Sequence, residues 1–214
     1  MLHRAKDEIS FLTHFIGALL CAFGTILLAI KPLITDTVTI ISLLAALVFG
    51  VSLILLYTAS ATYHFTKGSE KLCTVLRKID HSMIYVLIAG TYTPVCMLVF
   101  SQPKGLYFCI ALWCVAILGI LFKVCWINCP RAISVTLYLL MGWSILLDIP
   151  AMLRFSVGGR VFLILGGVFY TVGAIIYAIK KPNISKKFGF HELFHVFVML
   201  GSLMHFTMVY AYIL

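Results

Sequence analysis

The chain has 214 residues, of which 63% are apolar and 11% charged, and its formal net charge is +9. Soluble domains carry roughly 25% charged residues, so this composition excludes an ordinary soluble globule, and its apolar content excludes a disordered chain. A membrane-crossing helix takes about 20 mostly apolar residues, and the hydropathy pattern predicts an all-α integral membrane protein: a single seven-transmembrane helix bundle over residues 1–214.

The first span is predicted over 10–30. Arg4 and Lys6 precede it, but Asp7 and Glu8 offset them and no small-x-small cleavage site follows, so it reads as a mature span rather than a signal peptide. Lys31-Pro32 closes it, and the second span covers 38–64. The third, 82–100, contains Pro94 behind Gly90-Thr91-Tyr92-Thr93. A kink is expected there, tolerated in lipid only where neighbouring groups satisfy the freed carbonyl. The fourth and fifth spans cover 105–122 and 132–150. The sixth, 161–179, carries Gly166, Gly167 and Gly173, at which another helix can approach closely, and ends at Lys180-Lys181-Pro182; the seventh covers 190–213.

Basic residues sit between the spans. Arg4, Lys6, Lys67, Lys71, Arg77, Lys78, Lys123, Arg131, Lys180, Lys181, Lys186 and Lys187 fall on one side and outnumber Lys31, Lys104, Arg154 and Arg160 on the other threefold. That bias places the N-terminus in the cytosol and the C-terminus outside, as an odd number of spans requires. The net charge is thereby assigned to orientation and to anionic lipid headgroups at the cytosolic loops, leaving no basic face for nucleic acid. The seven cysteines (Cys21, Cys73, Cys96, Cys109, Cys114, Cys125 and Cys129) are odd in number and lie mostly inside apolar runs. They read as small apolar packers rather than a disulfide framework.

An ionisable side chain inside a span costs about 2.5–3.5 kcal/mol, so each is a functional candidate. His191 and His195 stand four apart on the seventh span, hence on one helix face. Ser60 and His64 repeat that spacing at the end of the second. Asp80, followed by His81 and Ser82, opens the third, where it could equally cap the helix. The topology puts Ser60, His64, Asp80, His191 and His195 in one layer on the cytosolic side. Three imidazoles with an open fourth position suit catalytic zinc, with Asp80 holding water as general base and Ser60 beside it. Direct ligation by Asp80 with two histidines would instead suit non-haem iron. Residues 191–195 also read H-E-x-x-H, which makes Glu192 a second candidate base; the alternative sets it at headgroup level beside Lys186 or Lys187. His14 is expected to face the same cavity and His3 to be an exposed tail residue. His205, about 21 Å beyond His191 along the helix, reads as a buried, hydrogen-bonded histidine.

Several segments carry a resemblance. Glu8 with Thr13-His14-x-x-Gly17, Ser60-Ala61-Thr62-Tyr63-His64, Leu76-Arg77-Lys78-Ile79-Asp80-His81-Ser82 and Gly90-Thr91-Tyr92-Thr93-Pro94 resemble the bacterial haemolysin III family. So do Tyr138 with Gly142-Trp143, Gly166-Gly167-Val168-Phe169-Tyr170, and Phe190-His191-Glu192-Leu193-Phe194-His195. That family groups with the progestin and adipoQ receptors and, more distantly, with the alkaline ceramidases. The resemblance implies seven helices with a cytosolic N-terminus and a zinc ion near the inner leaflet. It implies ligands at His64, His191 and His195, water held by Asp80, and Ser60 as the family's serine. The outer loops are short, so a receptor's protein-hormone docking surface is not carried over.

The expected function is that of a multi-pass protein of the plasma (bacterial inner) membrane, using Zn2+ to hydrolyse a lipid amide or ester. Membrane lipid is then its candidate substrate or ligand. Two alternatives stand beside it: a regulator or sensor of membrane lipid state with structural zinc, and an oligomeric pore-forming cytolysin. Ser144, Asp148, Ser202, His205 and Thr207 are the outer-half polar candidates, and they occupy two spans only, too few to line a monomeric channel.

Overall fold

In lipid each backbone N–H and C=O must find a partner within its own segment or bundle, and helices achieve this locally. A computed structural model describes residues 5–35, 39–185 and 187–214. Among them seven helices are long and apolar enough to cross a membrane: α1 Glu8–Ile34, α2 Ile40–Phe65, α3 Glu70–Val99, α4 Lys104–Cys125, α5 Arg131–Met152, α6 Val157–Ile179 and α7 Phe190–Tyr212. The N-terminal edge of the second predicted span, the tail residues His3 and Arg4, and Lys186 lie outside the described residues.

α3 starts at Glu70, well before the predicted 82, because Ser69 accepts the Leu72 N–H and caps it. Leu72, Val75, Leu76 and Ile79 then follow a helical repeat, which the intervening charges hide from a hydropathy scan. Arg77 and Lys78, expected in a loop, are therefore helical. Lys123, also expected in a loop, sits in the last turn of α4. Pro94 is followed by a π-helical turn, Val95–Val99. At the end of that turn Phe100 N donates to Val95 O, and the side-chain amide of Gln102 donates to the Cys96 carbonyl at 3.0 Å, giving it a partner. α5 is interrupted after Gly142, and the Tyr92 hydroxyl repairs the gap by donating to Gly142 O (2.7 Å) and accepting from Ile145 N (2.9 Å).

α3 is the central helix, whereas α6 turns most of its surface outward. α1 packs on α2 and α7, α2 on α3, α3 on α4, and α6 on α7 and α5. Phe49, Leu53 and Tyr57 of α2 meet Tyr85 of α3, Ala116 of α4 and Met208 of α7 in the core. Leu19, Leu20, Phe23, Leu118, Leu140 and Leu147 point outward, as a lipid-facing surface requires. The α6 glycines act as expected: a Cβ at Gly166 would lie 2.3 Å from the His205 ring, and one at Gly173 would lie 2.8 Å from Phe197 Cβ. This packing brings the last turn of α2, the middle of α3 and the first turns of α7 to one end of the bundle.

Candidate metal centre and cavity

His64, at the last turn of α2, and His195, one turn into α7, are almost completely buried; His191 is half-buried. Their ligand-capable nitrogens all lie within 4.8 Å of one another, and His64 Nε2 and His191 Nε2 are 3.2 Å apart. Two nitrogens bound at about 2.0–2.1 Å to a tetrahedral ion stand roughly 3.3 Å apart, so this spacing fits zinc. Two of the three rings are also oriented from behind. His64 Nδ1 donates to Asp7 Oδ2 at 2.9 Å, and His195 Nδ1 lies 3.3 Å from Thr13 Oγ1, whose own proton goes to the carbonyls of Ile9 and Ser10. With Nδ1 donating in both, Nε2 of each ring carries the lone pair that a metal takes. Asp7 reaches His64 because the chain before α1 pairs with the end of α2, through Lys6 N to Phe65 O and Asp7 N to His64 O. The bond from His64 holds the Asp7 carboxyl below the ordinary carboxylate range, against a burial that raises it.

Asp80 stands outside the ligand cluster and lines the same cavity. Its Oδ2 is 3.2 Å from His81 Nδ1, and the buried Ser60 hydroxyl is near enough to act on its carboxylate. Glu192 is not paired with Lys187, and Lys186 lies outside the described residues. Its Oε1 accepts from Ser10 Oγ at 2.8 Å and its Oε2 caps α7 through Gly189 N at 2.9 Å, while Lys187 faces Glu8. With both oxygens engaged, Glu192 is poorly placed to take a proton from water. His14 does face the cavity. Its ring stacks on His195, centroids 3.6 Å apart and planes 9° from parallel, and neither ring nitrogen has a hydrogen-bond partner.

The cavity measures about 600 Å3 and runs from Asp7 down to His205 between the helices, within the usual range for small-molecule sites. Below the polar layer its wall is apolar and aromatic, with Leu87, Ile88, Phe194 and Val198. The polar side chains expected in the outer half each contact protein, although His205 Nδ1 is buried without a hydrogen-bond partner. Ser202 Oγ meets Tyr57 and Tyr170 at 2.7 and 2.8 Å, His205 Nε2 meets the Leu163 carbonyl at 3.2 Å, and Asp148 pairs with Lys104. Ser144 and Thr207 donate to carbonyls of their own helices.

Sequence reasoning missed two groups. In the sequence Asp7 reads only as a charge offsetting Arg4 and Lys6, although a carboxylate just before α1 belongs to the same layer as His64. Lys123, Cys129 and Ser134 form a buried polar cluster on the cavity wall, and no spacing rule links them. The cysteines are free, as expected, but Cys129 is more than a packer, because its sulfur meets both Lys123 and Ser134.

The family model described as "Haemolysin-III related" matches residues 2–206. "Hemolysin-3" of Bacillus cereus is 37% identical, covering 100% of this chain and 95% of that protein. "Hemolysin-3 homolog" of Bacillus subtilis (strain 168) is 36% identical, over 97% and 94%. The similarity extends to "Monocyte to macrophage differentiation factor" of Homo sapiens, 24% identical over 79% of this chain and 71% of that one. With a match over nearly its whole length and seven apolar helices to carry it, this chain is a multi-pass bacterial membrane protein and belongs to the haemolysin-III-related family.

Proposed function

We propose that the protein is a zinc-dependent hydrolase acting on an amide or ester of a membrane lipid, with its site at the cytosolic end of the bundle. The observation that carries this reading is the convergence of three imidazole nitrogens, His64, His191 and His195, beside a carboxylate that is not itself a ligand. Three ligands leave a position open, which suits catalysis better than a closed structural site. When bound there, zinc supplies Lewis acidity toward a carbonyl and toward water near neutral pH. Asp80 takes the proton from the attacking water and returns it to the leaving group. Ser60 holds the Asp80 carboxylate in orientation through its hydroxyl. Asp7 and Thr13 fix the His64 and His195 rings, and the apolar lower cavity takes an acyl chain and excludes water.

Purified protein is expected to carry one zinc per chain by elemental analysis and to cleave a panel of fluorogenic lipid amides or esters. His191→Ala should lose both metal and cleavage, whereas Asp80→Asn should keep the metal and lose cleavage. Lipid turnover that persists without zinc in His191→Ala sinks the proposal. Stoichiometric zinc with no turnover across the panel favours the sensor reading. The haemolysin names of the relatives suggest pore formation, but a pore needs polar lining across the bilayer, and the protein-bonded outer-half polar groups give a monomeric pore no support.

A further inference from the structure

Three cations line the cavity that holds the metal centre: Arg77 on α3, Lys123 on α4 and Arg131 at the start of α5. Lys123 is the telling one. Its side chain is 1% exposed, and its ammonium donates to Ser134 Oγ and lies 3.3 Å from Cys129 Sγ. Among the described residues no carboxylate forms an ion pair with it, with Arg77 or with Arg131. The carboxylates on the cavity wall are engaged elsewhere: Asp7 with His64 and Lys6, Asp80 with His81 and Ser60, Glu192 with Ser10 and Gly189.

A buried ammonium bonded to a hydroxyl and a thiol keeps its hydrogen bonds, but its charge stays uncompensated, at considerable cost. Arg77 is tied to the same wall. One of its terminal nitrogens donates to Asn128 Oδ1, next in the chain to Cys129, while its buried Nε has no partner. Arg131 is fixed without an anion, its guanidinium 4.9 Å from the Tyr177 ring centre and 5.4 Å from that of Phe190. Cations in loops explain themselves by orientation and point into water; these face a shared void. Arginine forks and lysine points are the groups that recognise phosphate and carboxylate.

We infer that this wall is a subsite for one anionic group, a phosphate or carboxylate carried by the molecule that enters the cavity. Arg77 and Lys123 hold it by hydrogen bonds, and Arg131 adds charge at the mouth. The inference rests on the hydrolase reading only in calling the occupant a substrate, and names its class: an anionic lipid, gripped at its charged end with its amide or ester toward the histidines. Binding of the anion needs no turnover.

The test uses the full chain in nanodiscs of neutral phosphatidylcholine and three probes: oleoyl lysophosphatidate, monooleoylglycerol with the same chain and no charge, and inorganic phosphate. The lysophosphatidate should bind about tenfold or more tighter than monooleoylglycerol, and Lys123→Met and Arg77→Gln should each remove about tenfold of that preference. Lys123→Arg should retain much of it, and the exposed Lys71→Gln should leave it unchanged. Thermal melting checks that each variant is folded. If Lys123→Met is not, Arg77→Gln and Lys123→Arg carry the comparison. Equal binding of charged and neutral probes, or a preference untouched by the substitutions, overturns the subsite. Inorganic phosphate competing as well as the lysolipid supports the subsite and overturns its lipid source. The preference should survive His191→Ala. Its loss there would put the anion on the metal, overturning the subsite while leaving the hydrolase reading intact.

Discussion

Replacing Asp7 should weaken metal binding although Asp7 is not a ligand. Its carboxylate accepts the Nδ1 proton of His64 at 2.9 Å, which fixes the tautomer that presents Nε2 to the cluster and makes that nitrogen a better donor. A hydrogen bond to a charged group is worth about 1.5–3 kcal/mol when sheltered. The Asp7 side chain is 40% exposed and Lys6 lies 3.7 Å from the same oxygen, so solvent and the lysine screen part of it, leaving about 1–2 kcal/mol. That is roughly a 5- to 30-fold loss of metal affinity in Asp7→Ala. Asp7→Asn keeps an acceptor oxygen but no charge and should fall between Ala and wild type. The assay is a zinc titration against a competing chelator in detergent, with His64→Ala as the reference for complete loss. Equal affinities in wild type and Asp7→Ala, beside a clear loss in His64→Ala, would show that the carboxylate does not act through the ring.

Asp80→Asn should keep its zinc and lose hydrolysis by about 10²- to 10⁴-fold, while Ser60→Ala, which removes only an orienting hydrogen bond, should lose roughly tenfold; metal loss in Asp80→Asn would make that residue a ligand. Gly166→Ala drives a methyl group into the His205 ring and should destabilise the α6–α7 pair by about 1–3 kcal/mol, read as a lower melting temperature in detergent. Tyr92→Phe strips partners from Gly142 O and Ile145 N and should cost about 2 kcal/mol or more with metal content unchanged. His14→Phe keeps a ring against His195 while deleting two nitrogens, so it should preserve zinc affinity and lower hydrolysis; full activity would reduce His14 to packing.

The triad was legible because histidine inside an apolar run is costly and because the i, i+4 spacing and the alternation of spans fix face and depth independently. His64 and His191, 127 residues apart in the chain, could be placed together without any knowledge of packing. The start of α3 was not legible, since hydropathy averages away an amphipathic helix whose other face is charged. Nor was the break in α5, which depends on a tyrosine hydroxyl delivered from α3. Asp7 and Lys123 escaped for a shared reason: charge counting treats a residue near a membrane boundary as part of a loop. Only the backbone pairing of Lys6 and Asp7 with the end of α2 shows one of them turned inward, and only the last turn of α4 shows the other.

The division of polar groups along the bundle argues for where the work is done. Toward the end away from the histidines, Ser202 sits between two tyrosine hydroxyls and Asp148 has its lysine. Such groups are matched by protein, and matched groups specify packing. Around the cavity beside the histidines the balance is worse: both ring nitrogens of His14 and Arg77 Nε are buried without a hydrogen-bond partner, whereas at the other end the unpartnered atoms are one ring nitrogen of His205 and Asp148 Oδ2, which faces Lys104. Folding does not gather unmatched polar atoms on the wall of a void for stability, because each costs about 1–3 kcal/mol when left so. Water, a metal ion or a polar ligand can match them. The surplus therefore falls at the end of the bundle where the proposed site lies, together with the triad, Asp80 and the cationic wall.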